Sequence, residues 1–584
     1  MLKRDDTDIL IIGSGGAGLL AVLHAHKANP DLKISIAVKG LMGKCGCTRM
    51  VQGGYNVAMS DDDSVERHFM DTIAGGKWLP DQDLAWKLCE TAVTRVQELE
   101  NELGCFFDRE DDGTLHHKAF AGQTADRTVH KGDLTGIEII SRLMEQVLAV
   151  PTIDRLEEHR ALALVPNKTG DALAGVLMVN MRDGAMRFVR AKAVLLATGG
   201  GPTMYRYYTP SGEKSMDGLA MALRLGLPLR DMEMVQFHPT GLLAGQDTRM
   251  TGTVLEEGLR GAGGYLLNGN DERFMFDYDE RGERATRDIV SRGIYAEMRK
   301  GNTTPNGGVY IAMSHLGVNN VKKQFKGMVE RCADCGFDLA GGKVEVVPTA
   351  HYFMGGLICD TDTKTELSGL FVAGEDAGGV HGANRLGGNG VANSTVYGGV
   401  AGEAMAEFVT GISELHEADD DFIQREIDRA LLPFTSPSGG INVHDLREKL
   451  MDIMWEDVGV MRTAEGIKQG ISRVEALRSE LLENGIGAEN TVFNPTWHDW
   501  LNLYNLIDIS LVIASAALSR ENSRGAHCRE DFPEPGAMED SYFTVARNQS
   551  GNFGVTHESV KFSIIKPGES LIDDYSETAP EVKK

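Results

Sequence analysis

The pattern of apolar positions at the start of the chain predicts a strand, a glycine turn and a helix. Residues Asp8 to Ile12 form an apolar, β-rich run, and the segment GSGGAG from Gly13 to Gly18 leads into LLAVLHAHKAN, which has helical spacing. A second apolar segment, Lys33 to Val38, completes a βαβ unit of the size expected for a dinucleotide-binding fold.

Further periodic segments follow, and each predicts one element. Helical spacing covers Asp83 to Leu103 and Leu134 to Leu148. Strand patterns follow at Ala161 to Val165, Leu173 to Asn180, Arg187 to Val189 and Ala193 to Ala197, and the last is followed by TGGG. Strand and glycine character then resumes only at LFVAGEDAGG, which starts with Leu370.

The gap before LFVAGEDAGG and the change of pattern after it suggest the domain organisation. We predict an α/β fold in which a Rossmann-like dinucleotide-binding domain (1–236 and 349–410) is split by an inserted α+β capping domain (237–348). A helical domain (411–541) should follow, with helices over Leu446–Met461, Ala464–Asn484 and Trp497–Arg520. The C-terminal segment (542–584) has strand-like FTVAR and VKFSII runs and a disordered acidic end.

Composition argues against several classes of protein. Lys and Arg total 59 against 85 for Asp and Glu, and this net charge of −26 argues against nucleic-acid binding. The start lacks the features of a signal peptide, and no run reaches the 18 to 20 apolar residues of a membrane helix, which predicts a cytoplasmic protein. The eight cysteines do not form a disulfide, metal or iron–sulfur pattern, so no metal site is expected.

The glycine segments point to a large dinucleotide cofactor. Gly13 permits a tight turn, Gly15 lets the backbone approach a pyrophosphate, and Gly18 allows close helix packing. The ribose-binding acid of a plain NAD site is absent, because Lys39 follows the second strand. ATGGG and FVAGED bring two further parts of the chain to the same cofactor, and FAD explains this spread.

Eight ordered motifs carry a family resemblance along nearly the whole chain. They are GSGGAG, QGG (Gln52–Gly54), DMEMVQFHPTG (Asp231–Gly241), EGLRG (Glu257–Gly261), TRDIVSR (Thr286–Arg292), TAHYFMGG (Thr349–Gly356), HGANRLGGN (His381–Asn389) and SRGAHCREDFP (Ser523–Pro533). In these motifs the chain resembles the succinate dehydrogenase/fumarate reductase flavoprotein family, which also includes L-aspartate oxidase.

The resemblance implies a role for each motif residue. Arg287 would donate or accept the proton on the substrate carbon opposite flavin N5, and Glu257 and Arg260 would relay protons to it. The substrate site would contain His238, Glu256, Glu257, His351 and Arg385, of which His238, His351 and Arg385 would bind the substrate carboxylates. FAD would be bound by Gly13, Ser14, Gly15, Gly16, Ala17, Gly18, Lys39, Cys47, Thr48, Gly53, Gly54, Ala197, Thr198, Gly199, Asp217, Glu375, Arg385, Asn389, Gly390 and Val391.

Three departures from the family pattern modify these expectations. Respiratory members attach FAD through a histidine six residues before the first glycine of QGG, and Cys47 stands there, so we predict non-covalent FAD. Glu256 replaces a threonine that touches a substrate carboxylate; it would repel that group unless it is turned outward, paired, protonated or facing a polar or cationic substituent. GVANS replaces the usual Ser-Leu-Leu run, which leaves the backbone of Gly390 and Val391 to meet the flavin.

Three functions remain open from the sequence. The first is the flavoprotein subunit of a succinate dehydrogenase/fumarate reductase-type enzyme, which transfers hydride between flavin and a dicarboxylate and docks an iron–sulfur protein, peripheral to the membrane. SRGAH favours this branch. The second is a soluble L-aspartate oxidase-like enzyme, which Cys47 and RDIVSR would fit. The third is a non-catalytic flavin electron-transfer module, against which the joint presence of His238, Arg287, His351 and Arg385 argues.

Overall fold

The structure, a computed structural model, describes residues 2–245, 248, 250–435, 440–488, 490–549, 551–573 and 575. The acidic end predicted to be disordered lies mostly outside the described residues. Along the described residues the strands are β1 (Lys3–Ile12), β2 (Ile34–Val38), β3 (Tyr55–Asn56), β4 (His117–Lys118), β5 (Thr128–Val129), β6 (Asp154–Glu157), β7 (His159–Pro166), β8 (Leu173–Asn180), β9 (Met186–Leu196), β10 (Leu229–Arg230), β11 (Val235–Leu242), β12 (Tyr265–Leu267), β13 (Val309–Ala312), β14 (Lys343–Phe353), β15 (Gly356–Leu357), β16 (Leu370–Val372), β17 (Tyr542–Gln549) and β18 (Asn552–Ser559).

The helices fall between these strands and dominate the region after residue 389. They are α1 (Gly16–Ala28), α2 (Val65–Gly75), α3 (Gln82–Asn101), α4 (Thr135–Ala149), α5 (Asp217–Arg224), α6 (Gly258–Gly261), α7 (Arg287–Arg299), α8 (Val318–Gln324), α9 (Lys326–Asp334), α10 (Asn389–Thr410), α11 (Asp420–Thr435), α12 (Val443–Asp457), α13 (Ala464–Glu483) and α14 (Pro495–Ser519).

The central sheet has the order β6-β2-β1-β9-β8-β7, and β16 also pairs with β9. Strand β9 is a single strand where the sequence predicted two, because it changes partner along its length: its first half pairs with β8 in antiparallel fashion and its second half with β16 in parallel. β1 lies parallel to β2 and β9, so its carboxyl end opens onto the glycine turn at the edge where ligands of parallel sheets bind.

Helices α1 and α10 pack closely on one face of this sheet. A Cβ on Gly398 would lie 2.5 Å from the carbonyl oxygen of Ala17, and one on Gly402 would lie 2.4 Å from that of Ala21. Glycine at these positions therefore lets the two backbones approach, and the middle of α10 comes beside the start of α1.

A second antiparallel sheet, in the order β11-β14-β13-β12, carries the inserted region. Its apolar side chains form a separate core with those of α7 and α9, which includes Leu266, Ile294, Ile311 and Met328. Strand β11 carries His238 near its middle and β14 carries His351 near its end, so this sheet supplies two of the predicted substrate ligands.

Helix α14 is the most apolar long helix of the described residues. It is long and apolar enough to cross a membrane, which the sequence analysis did not anticipate, yet 83% of its most apolar stretch is buried inside the protein. The indole N–H groups of Trp497 and Trp500 donate to the carbonyl oxygens of Ala430 and Leu481, which fastens α14 to its neighbours α11 and α13.

The strand predicted at VKFSII is wrong, because the second strand of the C-terminal hairpin is Asn552–Ser559. The side-chain amide of Gln82 replaces a strand partner for the VKFSII segment: its oxygen accepts from the backbone N–H groups of Ile564 and Ile565, and its nitrogen donates to the carbonyl of Ile565. The segment therefore docks on α3 without joining a sheet.

Candidate functional site

A cavity of 440 Å³ extends from the glycine turn at the end of β1 to the boundary with the inserted sheet. One end is lined by Gly13 to Ala17, Lys39, Asp217 and Thr198. The other end is lined by His238, Glu256, Glu257, Arg287, His351 and Arg385. The cavity therefore joins the predicted cofactor residues to the predicted substrate residues.

The glycine turn leaves no room for a side chain at Gly13 or Gly18. Gly13 has φ +114°, and a Cβ there would lie 2.1 Å from the carbonyl oxygen of Ala197. A Cβ on Gly18 would lie 1.9 Å from the carbonyl oxygen of Gly13, so Gly18 packs the helix against the turn and does not line the cavity. Helix α1 starts at Gly16 without a side-chain cap on Gly15, which leaves backbone N–H groups and the positive helix end for a phosphate.

A buried cluster of ion pairs lines the end of the cavity where Lys39 and Asp217 lie. Lys39 Nζ lies 2.7 Å from one carboxyl oxygen of Asp217, and an Arg160 nitrogen lies 2.7 Å from the other. Burial lowers the pKa of Lys39 to about 8 despite the carboxylate beside it. Burial alone would raise the pKa of Asp217, but Arg160 and Lys39 outweigh it and hold that pKa far below its usual value.

Helix α14 supplies two amides to this cluster. Asn502 Oδ1 accepts from Lys39 and Arg160, and Asn505 donates to Asp217 at 2.7 Å. The sequence analysis missed Arg160, Asn502 and Asn505, because a single arginine in a strand and two asparagines in an apolar helix form no recognisable motif. The spacing of the asparagines, three residues apart on one helix face, is the signal that was available.

The FVAGED segment supplies two buried acids with different surroundings. Glu375 lines the cavity and accepts from the backbone N–H of Phe353 at 2.9 Å. Asp376, which was not predicted, accepts from the hydroxyl of Thr198 at 2.9 Å and from the N–H of Gly199 at 3.1 Å. Burial raises the pKa of Asp376 to about 7. Asp376 therefore holds the TGGG turn in place, while Glu375 faces the cavity.

Cys47 lines the middle of the cavity together with Cys45. Enclosure in the protein raises the pKa of the Cys47 thiol to about 12, although the ammonium of Lys214 acts in the opposite direction. Lys214 Nζ donates to the carbonyl oxygen of Thr198 at 3.1 Å. At neutral pH Cys47 is thus a protonated, poorly nucleophilic thiol.

At the other end of the cavity three charged side chains form a chain of contacts. Both Nε and Nη2 of Arg287 donate to Glu257 Oε2, at 3.0 and 2.6 Å, and Arg260 Nη2 donates to Glu257 Oε1 at 3.3 Å. Gln236 accepts from Arg287 Nη1 at 3.1 Å. Arg287 and Glu257 line the cavity, whereas Arg260 lies behind them. Burial favours the neutral acid, but the two arginines keep the pKa of Glu257 below its usual value.

The two histidines face each other at this end, with ring centroids 5.3 Å apart. Burial and the nearby Arg287 lower the pKa of both His238 and His351 well below the usual value, so both are neutral at physiological pH. The N–H of Thr240 donates to His238 Nδ1 at 3.3 Å, which assigns the ring proton of His238 to Nε2. His351 Nδ1 lies 2.8 Å from the hydroxyl of Thr209.

Arg385 adds a further cation, 4.4 Å above the ring of Tyr352. Its Nη1 donates to the carbonyl of Leu386 at 3.1 Å, while its Nε is buried without a partner among the described residues. Burial and Arg287 lower the pKa of Arg385 to about 10, so it stays charged at neutral pH. A buried guanidinium with an unused donor calls for an anion.

Asn389 is the predicted cofactor residue that the structure places elsewhere. Its Oδ1 accepts from Asn56 at 2.7 Å and from His68 at 2.9 Å, and its Nδ2 donates to Thr72 at 3.1 Å. These contacts use its amide away from the cavity, which is lined instead by Gly388, Gly390 and Val391. The other predicted cofactor residues, apart from Gly18, all line it.

The donor set fits FAD. The open N–H groups of the glycine turn and the start of α1 suit a pyrophosphate. The side chains of Lys39, Asp217 and Glu375 supply further polar partners along the same cavity, as a long dinucleotide requires.

Comparisons with known proteins identify an FAD-binding domain and a flavoprotein C-terminal region in this chain. The family model described as FAD binding domain matches residues 8–391, and that described as fumarate reductase flavoprotein C-term matches residues 447–571. The chain is 40% identical over 536 residues to one subunit of the fumarate reductase (CoM/CoB) of Methanothermobacter marburgensis, covering 91% of this chain and 95% of the relative. It is 34% identical over 609 residues to the fumarate reductase flavoprotein subunit of Escherichia coli, covering both chains completely.

A solved structure of a relative has the same fold as this chain. A variant of the E. coli quinol fumarate reductase flavoprotein superposes with a TM-score of 0.92 at 33% identity, covering 97% of this chain and 99% of that one. The predicted fold class, the predicted cofactor FAD and the predicted family are thereby confirmed. The chain belongs to the fumarate reductase/succinate dehydrogenase flavoprotein family and is an FAD-dependent oxidoreductase.

Proposed function

We propose that this protein interconverts a four-carbon unsaturated dicarboxylate and its saturated form, as in fumarate reduction to succinate. The observation that carries the proposal is the contact chain Arg260–Glu257–Arg287, which ends in a cavity that also contains His238, His351 and Arg385. When bound, FAD supplies the hydride donor and acceptor for this reaction. The protein residues bind the dicarboxylate and handle the proton.

Neutral histidines and a charged arginine would bind the substrate carboxylates. His238 keeps its proton on Nε2, because its Nδ1 accepts from Thr240, so Nε2–H is available to a carboxylate oxygen. Arg385 offers the unused donor described above. Cationic and N–H donors also stabilise the negative charge that develops on a carboxylate as the adjacent carbon accepts hydride.

Arg287 would deliver the proton to the neighbouring carbon. A guanidinium has a pKa above ~12 and does not remain deprotonated, so its proton must be replaced at once. Glu257 contacts two nitrogens of Arg287 and is held ionised by Arg287 and Arg260, which makes it able to accept a proton and pass it on. Arg260 is the next residue in this chain of proton contacts, and its Nη1 donates to the backbone carbonyl of Glu283 at 2.7 Å.

The buried position of these groups supports the same role. Arg287 is 7% exposed and Glu257 is 4% exposed, although both line the cavity. Water excluded by a bound substrate would leave few competitors for the proton and would strengthen the charge interactions around it.

FAD is proposed to bind without a covalent bond. Cys47 lines the cavity where respiratory relatives carry the attaching histidine, and a thiol with a pKa of about 12 is almost wholly protonated at neutral pH. Since the thiolate is the nucleophile of cysteine, this thiol is poorly prepared to form a bond with the flavin.

We further propose that the chain works as one subunit with an iron–sulfur partner and lies peripherally at a membrane through its partners. The M. marburgensis and E. coli relatives are named as subunits, and this chain covers each of them almost completely. Among the described residues no group of three or more His, Cys, Asp or Glu is placed to hold a metal ion. Electrons would then enter or leave through the partner. The comparisons do not favour the L-aspartate oxidase or electron-transfer alternatives.

Dye-linked turnover tests the proposal. Purified protein supplied with reduced benzyl viologen should oxidise the dye when fumarate is added and form one succinate for every two electrons. Dye oxidation without succinate, or its absence with fumarate and other unsaturated dicarboxylates, would contradict the proposed activity.

A further inference from the structure

Glu256 lies between two cavities and has one carboxyl oxygen without a partner among the described residues. Its side chain is 5% exposed and lines both the 440 Å³ cavity and a second cavity of 660 Å³. Oε1 lies 3.6 Å from Lys118 Nζ, whereas Oε2 is buried and unpaired. A carboxyl oxygen in this position calls for either a proton or a ligand.

The charges around the 440 Å³ cavity determine which protonation state of Glu256 favours binding of a dicarboxylate. Arg260, Arg287 and Arg385 are buried there with one carboxylate, Glu257, so these four groups leave two positive charges uncompensated. His238 and His351 are neutral. Two carboxylates of a substrate would balance this excess, and a third negative charge on Glu256 would oppose their binding.

The second cavity contains the other charged and titratable groups near Glu256. It is lined by Asp108, His116, His117, Lys118, His130, Asp133, Lys323 and Lys326. Burial raises the pKa of Glu256, Asp133 adds to this rise, and Lys118 and Arg331 oppose it. Burial lowers the pKa of His130 to about 4, so this histidine is neutral.

We propose that Glu256 binds the substrate as a neutral carboxylic acid, whose O–H donates a hydrogen bond to one carboxylate of a dicarboxylate. Binding then takes up one proton whenever the free enzyme holds Glu256 ionised. The second cavity gives that proton a route from the solvent side, because Glu256 lines it as well. This inference rests on the proposed function, since it requires that the first cavity binds a dicarboxylate.

The proposal predicts how affinity changes with pH. Below the pKa of Glu256 in the free enzyme the affinity is constant, and above it the affinity falls tenfold per pH unit, since each binding event must protonate the group. Burial places that break above the ordinary value for glutamate. Glu256→Gln keeps an N–H donor and cannot ionise, so its affinity should not show the break.

The experiment measures malonate binding to the FAD-loaded protein from pH 5 to pH 9. Flavin absorbance gives the dissociation constant, and calorimetry in two buffers with different ionisation enthalpies gives the proton uptake. We expect an uptake that rises to one proton in the wild type and is lower by one in Glu256→Gln. If the glutamine variant does not retain FAD, Glu256→Thr takes its place, because it also keeps a donor without an ionisable group.

A matched pair of lysine variants tests the environment of Glu256. Lys118→Gln removes the cation 3.6 Å from Glu256 and should move the break to higher pH, because the ionised form loses its partner. Lys326→Gln removes the same charge from an exposed side chain of the second cavity that contacts Glu330, and should leave the break in place.

The outcomes separate this inference from the proposed function. Malonate binding with the same fall in affinity and the same proton uptake at high pH in wild type and Glu256→Gln would overturn the role of Glu256 and leave the proposed function standing. A wild-type protein that binds neither malonate nor fumarate at any pH would overturn both.

Discussion

Arg287 shows how a residue that normally only binds anions can be placed to handle protons. Its guanidinium contacts Glu257 through two nitrogens and Gln236 through a third, so its orientation is set by two neighbours. Glu257 in turn contacts Arg260, which continues the chain of exchangeable protons away from the cavity. A lysine has neither the fork geometry nor the reach to keep all of these contacts.

Arg287→Lys should therefore retain FAD and lose turnover by at least ~100-fold, the usual contribution of a positioned proton donor. Dye-linked fumarate reduction measures the loss, and flavin absorbance per protein measures cofactor retention. Arg292→Lys is the matched control on the same helix, because Arg292 contacts Asp288 and the carbonyl of Gly525 instead of Glu257. Fumarate turnover in Arg287→Lys within a few-fold of wild type would remove Arg287 as the proton donor.

Cys47 supports a second prediction at this scale. Its protonated thiol should leave FAD unattached, so acid precipitation should release all the flavin into the supernatant and leave a colourless pellet. Wild type and Cys47→Ser should behave alike in this measurement. A yellow pellet from the wild type that becomes colourless in Cys47→Ser would show a cysteinyl bond and contradict the proposal.

Some residues of the site could be predicted from the sequence, and others could not. The histidines and arginines of the site stand in distinctive motifs and were found there. Gln236 lies inside DMEMVQFHPTG but was not singled out, and Thr209 lies in no motif, although it contacts His351. Both act through hydrogen bonds to residues far away in the sequence, and apolar periodicity carries no information about such contacts.

At the scale of elements, the ion-pair cluster joins α5, β7, α14 and the loop after β2. Asp217 at the start of α5 balances both Lys39 and Arg160, while α14 contributes two asparagines. Removing one partner of a buried pair leaves the others uncompensated, which typically costs about 3–5 kcal/mol. The cofactor cavity and the helical region should therefore lose stability together.

Asp217→Asn should lower the free energy of unfolding by about that amount and weaken FAD binding. Thermal unfolding and flavin release measure the two effects. Asp452→Asn is the control, since it breaks a largely exposed ion pair with Arg206, for which a loss of ~1 kcal/mol or less is expected. Equal effects of the two substitutions would contradict the structural importance of the buried cluster.

The pH dependence of this cluster has a definite sign. The pKa of Asp217 is depressed in the folded protein, so its stabilising contribution is present above the unfolded value of about 4 and declines as the pH falls below it. The difference in unfolding free energy between wild type and Asp217→Asn should shrink accordingly in acid. A difference that grows below pH 4 would contradict the assignment.

Elements with a clear apolar periodicity were predicted with nearly correct bounds. Elements whose bounds depend on the strand or side chain that they pair with were not. Strand Leu173–Asn180 was predicted as observed, whereas β9 was divided in two because no apolar pattern reports a change of strand partner. VKFSII has the alternation of a strand, but a glutamine side chain takes up its backbone groups. Helix α14 was found, but the sequence did not indicate that it contributes to the cavity.

At the scale of the whole molecule, the site depends on regions far apart in the chain. The central sheet provides the glycine turn, the inserted sheet provides His238 and His351, and α10 begins beside Arg385. The two family models together match most of the chain, from residue 8 to 391 and from residue 447 to 571, which includes the regions that line the site. In the proposed function, the electrons reach or leave the flavin through a partner outside this chain.

The purified chain alone should contain FAD and no stoichiometric iron, because the described residues offer no metal-binding cluster. It should accept electrons from a small dye but not from a quinol until an iron–sulfur partner is added. Iron determination and the two electron-donor assays measure this. Quinol-dependent fumarate reduction by the isolated chain would contradict the need for a partner.

The most direct test of the central claim is an anaerobic reoxidation experiment. The FAD-loaded protein is reduced with one equivalent of dithionite and mixed with fumarate, and in parallel the oxidised protein is mixed with L-aspartate, while the flavin spectrum is recorded. We predict that fumarate restores the oxidised spectrum with formation of one succinate per flavin and that L-aspartate leaves the oxidised flavin oxidised. A flavin that stays reduced with fumarate and other unsaturated dicarboxylates would contradict it.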